Sequence, residues 1–236
     1  MRPDPFVHDR DTGRRFFAFD MFGTLVVNTI GTTQPIFDVM CTYYPGIDPD
    51  EIGAEYVRIK KEFKETHKNK ELPIDTIIRR IDERFGTHND PDEMEQPMLR
   101  HTRIYGPAPG AKETLGYLKD NGYRIGVMSN TRYHHTTLEG ILEDYGMLKY
   151  IDRVVTSADL GIRKPEPFVY NSIAEALGGD VRHCFYCGDS DSKDYYGPLA
   201  AGMKGAALID PEMKAPVRWK IRSIGDLPSL FEGDRS

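Results

Sequence analysis

The sequence predicts an α/β protein: a doubly wound, mostly parallel sheet with a run of helices inserted after its first strand. Three observations predict it. From about residue 111 to residue 209, short apolar runs alternate with amphipathic helical patterns, the order that builds a parallel sheet with helices on both faces. Far ahead of them stands one more apolar run, Phe16-Phe17-Ala18-Phe19, which has the length and character of a buried strand. Between the two, residues 31–105 carry helical periodicities and no convincing strand.

Taken in order, residues 1–13 are polar, contain two prolines and are expected to fray. The first strand runs into a turn, and residues 28–33 read as a linker. Helices are expected over 35–43, over 49–70, where Ile52, Tyr56, Ile59 and Phe63 recur at helical spacing, over 74–85 with Gly86 as C-cap, and over 91–105. Gly106-Pro107-Ala108-Pro109-Gly110 is a return hinge. Helices are then expected over 111–121, 133–145, 166–177 and 192–201, with strands over 123–128, 153–157, 184–187 and 204–209. Residues 1–30 and 106–236 therefore form one sheet unit, and 31–105 a helical insert. There is no internal repeat or low-complexity tract.

The chain has 236 residues, 39% apolar and 29% charged, with a net charge of −6. That is ordinary for a globular enzyme and argues against a nucleic-acid groove or an anionic membrane as partner. The longest apolar runs are strand-length, and the start lacks the apolar core of a signal peptide. Three cysteines, an odd count, fit a reducing compartment, so a cytoplasmic location is expected. Cys184 and Cys187 lie three apart in a strand and should point to opposite faces, which disfavours a metal or redox pair.

Asp20 directly follows the first apolar run. An ionised carboxylate there costs several kcal/mol unless it is paired, bound to a metal or facing a cleft. Open parallel sheets place such clefts at the carboxyl ends of their strands. From this segment alone, an aspartate that merely caps the turn fits as well. Three later stretches stand beside it: Ser129-Asn130 after a strand, Gly161-Ile162-Arg163-Lys164-Pro165, and Gly188-Asp189-Ser190 with Asp191 and Asp194 close behind. Singly, Ser129-Asn130 could be an N-cap and Lys164 a surface lysine. Two or three carboxylates in one loop, facing Asp20, would repel one another without a cation, and oxygen ligands of this kind suit Mg²⁺.

In this order the four stretches resemble the motifs of the haloacid dehalogenase superfamily, over roughly residues 14–30 and 107–210. The resemblance implies a Rossmann-like core, with residues 31–105 as a helical cap closing over the site. It implies Asp20 as nucleophile, with a covalent aspartyl intermediate on the way to hydrolysis. Gly23 and Thr24 would shape a turn whose N–H groups face the transferring group, Ser129 and Asn130 would donate to it, and Lys164 would supply positive charge. The implied Mg²⁺ set is Asp20, the backbone carbonyl of Phe22, Asp189 and Asp194, with Asp194 also orienting Lys164. The substrate would be a small anionic molecule lying against Phe22 and Gly23.

One departure matters. Phosphatases of the superfamily usually carry an aspartate two residues after the nucleophile as general acid and base, and here that position is Phe22. Three readings compete: a phosphohydrolase whose leaving group needs little protonation, a metal-free 2-haloacid dehalogenase, and a binding module that has lost its chemistry. Phe22 and Tyr170, six residues after Lys164, are similar to the dehalogenase branch, and Arg58 sits near where that branch keeps a cap arginine for the substrate carboxylate, though at a different spacing. The acidic residues at 189 and 191 favour the phosphohydrolase. Cleavage of a C–P bond through a Schiff base on Lys60, Lys61 or Lys64 is a minor branch of it. The plainer expectation for Arg58 and its neighbouring lysines is a solvated helix face, and for His134-His135 an exposed helix start.

Overall fold

The computed structural model describes residues 15–29, 36–102 and 105–232. The expected fraying of 1–13, part of the 28–33 linker and the start of the first inserted helix lie outside them. In chain order, β1 (Arg15–Phe19) and the short β2 (Val26–Asn28) precede four helices, α1 (Ile36–Cys41), α2 (Pro49–Thr66), α3 (Ile74–Phe85) and α4 (Pro91–Thr102). After β3 (Tyr105–Pro107) come α5 (Ala111–Asp120), β4 (Tyr123–Ser129), α6 (His135–Asp144), β5 (Arg153–Thr156), α7 (Ser157–Leu160) and α8 (Pro167–Ala176). The chain continues through β6 (Cys184–Gly188), a π-helical turn (Asp191–Tyr196), α9 (Gly197–Ala200), β7 (Gly205–Ile209), β8 (Lys220–Ile221) and α10 (Ser229–Glu232).

Six strands form one sheet in the order β5-β4-β1-β6-β7-β8, and every pairing in it is parallel. The doubly wound class is thus as expected. The chain crosses from β1 to β4 on one side and later to β6 on the other, so β1 lies where the winding reverses and its carboxyl end opens a crevice. Alternation along β1 builds both faces. Phe17 and Phe19 join the apolar cluster that reaches α5, α6 and the inserted helices, while Phe16 and Ala18 join the cluster under α8. Cys187 lies in the first cluster and Cys184 in the second, on opposite faces as the strand period requires, and burial pushes the Cys184 thiol up to about 12.

Three boundaries differ from expectation. The second helix ends at Thr66 rather than 70, because the chain leaves it to pair with the sheet unit: Asn69 takes a left-handed φ of 56°, Lys70 bridges Ile162, and Arg163 N–H donates to Asn69 O at 3.0 Å. The fourth ends at Thr102, and the segment expected to hold no strand contributes Tyr105, which pairs antiparallel with Asn28 in a two-stranded ribbon, β2 with β3. The expected helix over 192–201 is a π turn followed by the single turn of α9.

Candidate active site

Asp20 emerges from β1 with its N–H bonded to Cys187 O at 2.9 Å, so the strand ladder holds it to β6. The chain then turns within a few residues, as Leu25 and Val26 N–H both donate to Met21 O and Gly23 N–H donates to Val26 O. Gly23 adopts φ 91°, a conformation that favours glycine. Burial at the strand end leaves Asp20 only 7% exposed.

Lys164 is the counter-charge. Its Nζ lies 2.7 Å from Asp20 Oδ1 and 2.7 Å from Asp194 Oδ1, and it also approaches Tyr186 Oη at 2.9 Å and Met128 O at 3.2 Å. Burial alone would lower the lysine's pKa, but Asp194 and Asp20 more than reverse this and hold it protonated. Asn130 positions it: the amide Nδ2 donates to Lys164 O at 3.0 Å and Oδ1 accepts from Lys164 N–H at 2.8 Å. Both ends of the Asn130 side chain are therefore engaged with the lysine's backbone, a contact that positions Lys164. Ser129, the last residue of β4, is 1% exposed.

The loop after β6 supplies the acids. Carboxylate oxygens of Asp20, Asp189 and Asp194 lie within 4.8 Å of one another. The π turn, which inserts an extra residue into helical winding, returns Asp194 so that Oδ2 accepts from Ser190 N–H at 3.0 Å while Oδ1 meets Lys164. Burial raises the Asp20 pKa to about 7; Lys164 opposes it, and Asp194 and Asp189 add to it. Asp189 is likewise raised, by burial and then by Asp194. One ammonium thus serves three carboxylates, leaving negative charge that hard divalent cations such as Mg²⁺ take up through oxygen ligands. Lys164 occupies Oδ1 of Asp20 and of Asp194, so Asp20 Oδ2 and the Asp189 carboxylate are the donors that fit such an ion. A Cβ on Gly23 would stand 2.0 Å from Asp189 Oδ2, which shows how closely the turn after Asp20 approaches that carboxylate.

Several expected residues are engaged in contacts of their own. Thr24 is fully buried, and its hydroxyl has no hydrogen-bond partner among the described residues. Tyr170 is fully buried, and its hydroxyl donates to Lys193 O at 2.5 Å, which spends it on holding the π turn. Arg58 is half exposed and bound to Glu55 and Glu62 on its own helix, the solvated-face arrangement. The Phe22 ring packs at a tilt of 34° against Tyr105, centroids 4.8 Å apart. His134 is not a free helix start: Nδ1 pairs with buried Glu95 of α4 at 2.6 Å, and its N–H and the Thr137 hydroxyl donate to the same carboxylate.

Sequence reasoning missed Tyr186 and Glu71. Tyr186 donates its hydroxyl to Met128 O at 3.1 Å and so braces the lysine, and the only signal for it was a lone hydroxyl in an apolar strand. Glu71 accepts from Ser157 Oγ at 2.7 Å and from Arg163, tying the segment between α2 and α3 to the residue before Lys164.

The fold and this cluster define the class, a doubly wound α/β protein with an acidic, lysine-bridged site at the carboxyl end of its central strand. The chain belongs to the haloacid dehalogenase-like hydrolases, whose family model matches residues 15–202. It is 33% identical over 122 residues to the human haloacid dehalogenase-like hydrolase domain-containing protein 3, covering 51% of this chain and 47% of that protein. A phosphoglycolate phosphatase of Cereibacter sphaeroides is 32% identical over 130 residues, 53% of this chain and 57% of the relative. The chain thus spans about half the length of these curated relatives. Pyrophosphatase PpaX of Halalkalibacterium halodurans is 24% identical over 198 residues, 80% of this chain and 81% of that one. Among solved structures, a phosphatase of the family from Thermococcus onnurineus superposes with TM-score 0.60 at 22% identity, covering 94% of this chain and all of the other. A 2-haloacid dehalogenase from Pseudomonas syringae gives 0.63 at 22% identity, covering 93% and 99%; both likenesses concern the fold alone. Among the described residues no helix is long and apolar enough to cross a membrane.

Proposed function

We propose that the chain is a Mg²⁺-dependent phosphohydrolase that uses Asp20 as nucleophile on a small anionic substrate whose leaving group departs as an anion. The observation that carries this reading is the division of labour at Asp20. Its Oδ1 is held by Lys164, 2.7 Å away, within a set of three carboxylates that calls for a divalent cation. A carboxylate oxygen of Asp20 attacks phosphorus, the bond to the leaving oxygen breaks with its electron pair on that oxygen, and water then hydrolyses the aspartyl phosphate to inorganic phosphate and free Asp20. Lys164, fixed by Asn130 and Asp194, neutralises charge on the phosphoryl oxygens. Mg²⁺, held by Asp20, Asp189 and the Phe22 carbonyl, would supply further charge neutralisation and keep Asp20 ionised.

Residues 31–105 act as the cap in this reading. The buried carboxylates of Glu71 and Glu95 join that segment to the sheet unit on either side of the Asn130 loop. The relatives named phosphoglycolate phosphatase and pyrophosphatase support phosphoryl chemistry. Phe22 favours a second reading, displacement of halide, which needs no proton; the acidic residues at 189 and 191 count against it, since a metal-free displacement has no use for them.

The test is phosphate release from 4-nitrophenyl phosphate with Mg²⁺ and with EDTA, for the wild type and Asp20→Asn. Release that requires Mg²⁺ and disappears in Asp20→Asn is expected. Halide release from 2-haloacids that survives EDTA overturns it in favour of the second reading.

A further inference from the structure

Where the inserted helices meet the sheet unit, a cleft of about 200 Å³ opens beside the Asn130 loop. A water occupies about 30 Å³ of liquid, so the space admits a phosphate-sized group with its hydration. Its cations come from two parts of the chain. Lys60, Lys64 and Lys70 descend from α2 and the segment after it, and Arg132 comes from the loop two residues beyond Asn130. The carboxylate in the lining, Glu71, is already committed to Arg163 and Ser157. Among the described residues no acidic side chain forms an ion pair with Lys60, Lys64, Lys70 or Arg132, whereas Arg58 and Arg80 nearby are both paired.

The like charges are also held together. Lys60 Nζ lies 5.0 Å and Arg132 Cζ 5.8 Å from the centroid of the same Tyr56 ring, and Arg132 donates to the Tyr56 hydroxyl. The backbone fixes the arginine's loop, because Ile74 N–H donates to Arg132 O at 2.9 Å. Burial and the neighbouring Arg132 both depress the Lys60 pKa, the signature of a cation facing another cation. A carboxylate is satisfied by one arginine fork; four uncompensated cations match a group of higher charge, and lysines serve phosphate as point charges.

We propose that this cleft is a second anion subsite of the active centre, and that the substrates it selects carry a further phosphate dianion besides the phosphoryl group that reacts. This rests on the phosphohydrolase reading above. The site is distinct from the nucleophile cluster, yet Arg132 and Arg163 flank, in sequence, Asn130 and Lys164, whose mutual hydrogen bonds build that cluster.

The test compares phenyl phosphate, which has one dianion, with 1,4-phenylene bisphosphate and inorganic pyrophosphate, which offer a second at two different spans. For the wild type, kcat/KM on at least one of the two is expected to exceed that on phenyl phosphate by about tenfold or more, mainly through KM. In Lys60→Ala/Lys64→Ala, exposed helix positions where alanine keeps the fold, that ratio should fall by about tenfold. Arg79→Ala, which removes a positive charge from α3 outside the cleft, should leave the ratio unchanged. A wild type without the preference, or a preference that survives the double substitution, overturns the subsite. If no phosphate is released from any of the three nor from 4-nitrophenyl phosphate, the phosphohydrolase reading fails; whenever the three are silent, calorimetric titration with 1,4-phenylene bisphosphate and pyrophosphate decides the subsite alone: binding lost in the double variant supports it, and equal binding or none in the wild type overturns it.

Discussion

Gly23 and Asp189 stand so close that a single methyl group on the glycine would fall 2.0 Å from Oδ2 of the aspartate. The φ of 91° adds backbone strain for any other residue, on the order of 1–3 kcal/mol. Gly23→Ala should therefore push the carboxylate out of the cluster while leaving the sheet intact. The expected result is Mg²⁺ affinity weakened by about tenfold or more in calorimetry, with an unchanged circular dichroism spectrum. Unchanged affinity would show that Asp189 does not hold the ion.

Lys164 is 1% exposed at its side chain and lies between two carboxylates that are themselves nearly buried. Removing it leaves Asp20 and Asp194 facing each other without compensation, a loss of about 3–5 kcal/mol for a buried pair. Lys164→Met, similar in length, should lower the denaturant midpoint accordingly and abolish turnover. Lys164→Met/Asp194→Asn removes one of the stranded charges and should recover part of the stability but none of the activity. If the double variant is no more stable than the single one, the lysine does not act by compensating these acids.

Much of this arrangement was legible in the chain because it is local. Strand-length apolar runs separated by helical patterns point to the parallel sheet, and the charged residue that ends an apolar run at Asp20 becomes a signal once the three later stretches stand beside it. What escaped is what tertiary pairing decides. Tyr105 carries helical periodicity from α4 yet pairs with Asn28, and the chain at Lys70 leaves its helix to bridge Ile162. The contacts of Arg58 and Tyr170 escaped for the same reason: spacing locates a residue along a helix but not the Glu55 and Glu62 that bind the arginine, nor the Lys193 carbonyl that takes the tyrosine hydroxyl. The π turn over Asp191–Tyr196 cannot be told from an α-helix by pattern, although it sets where Asp194 points.

The contact between His134 and Glu95 makes stability depend on pH. Burial of the ring lowers its pKa, but the hydrogen bond and charge of Glu95, with Asp159 and Asp75 beyond, leave it raised overall from 6.5. A raised folded-state pKa contributes stability that is fully present below the unfolded value and is lost as pH rises through the folded one. The wild type should thus melt at a higher temperature than His134→Gln at about pH 6, with the gap narrowing by about pH 9. A gap that widens with pH would mean that the pair is held by the neutral imidazole.

Phe22 sets the last expectation, the dependence on the leaving group. Its ring packs at a tilt against Tyr105, 4.8 Å between centroids, so the position two residues after Asp20 carries a phenyl ring, which has no proton to donate. Positioned proton transfer contributes about 10²–10⁴-fold, and its absence falls on the departing oxygen. Across a series of aryl and alkyl phosphates, log kcat/KM should therefore drop steeply as leaving-group basicity rises, with 4-nitrophenyl and acetyl phosphate far above sugar phosphates. In Phe22→Asp the restored acid should flatten that slope, raising the slow substrates more than the fast ones, while the lost ring contact with Tyr105 lowers stability. A shallow slope in the wild type would mean that another group donates the proton, and the ordering by basicity would then lose its cause.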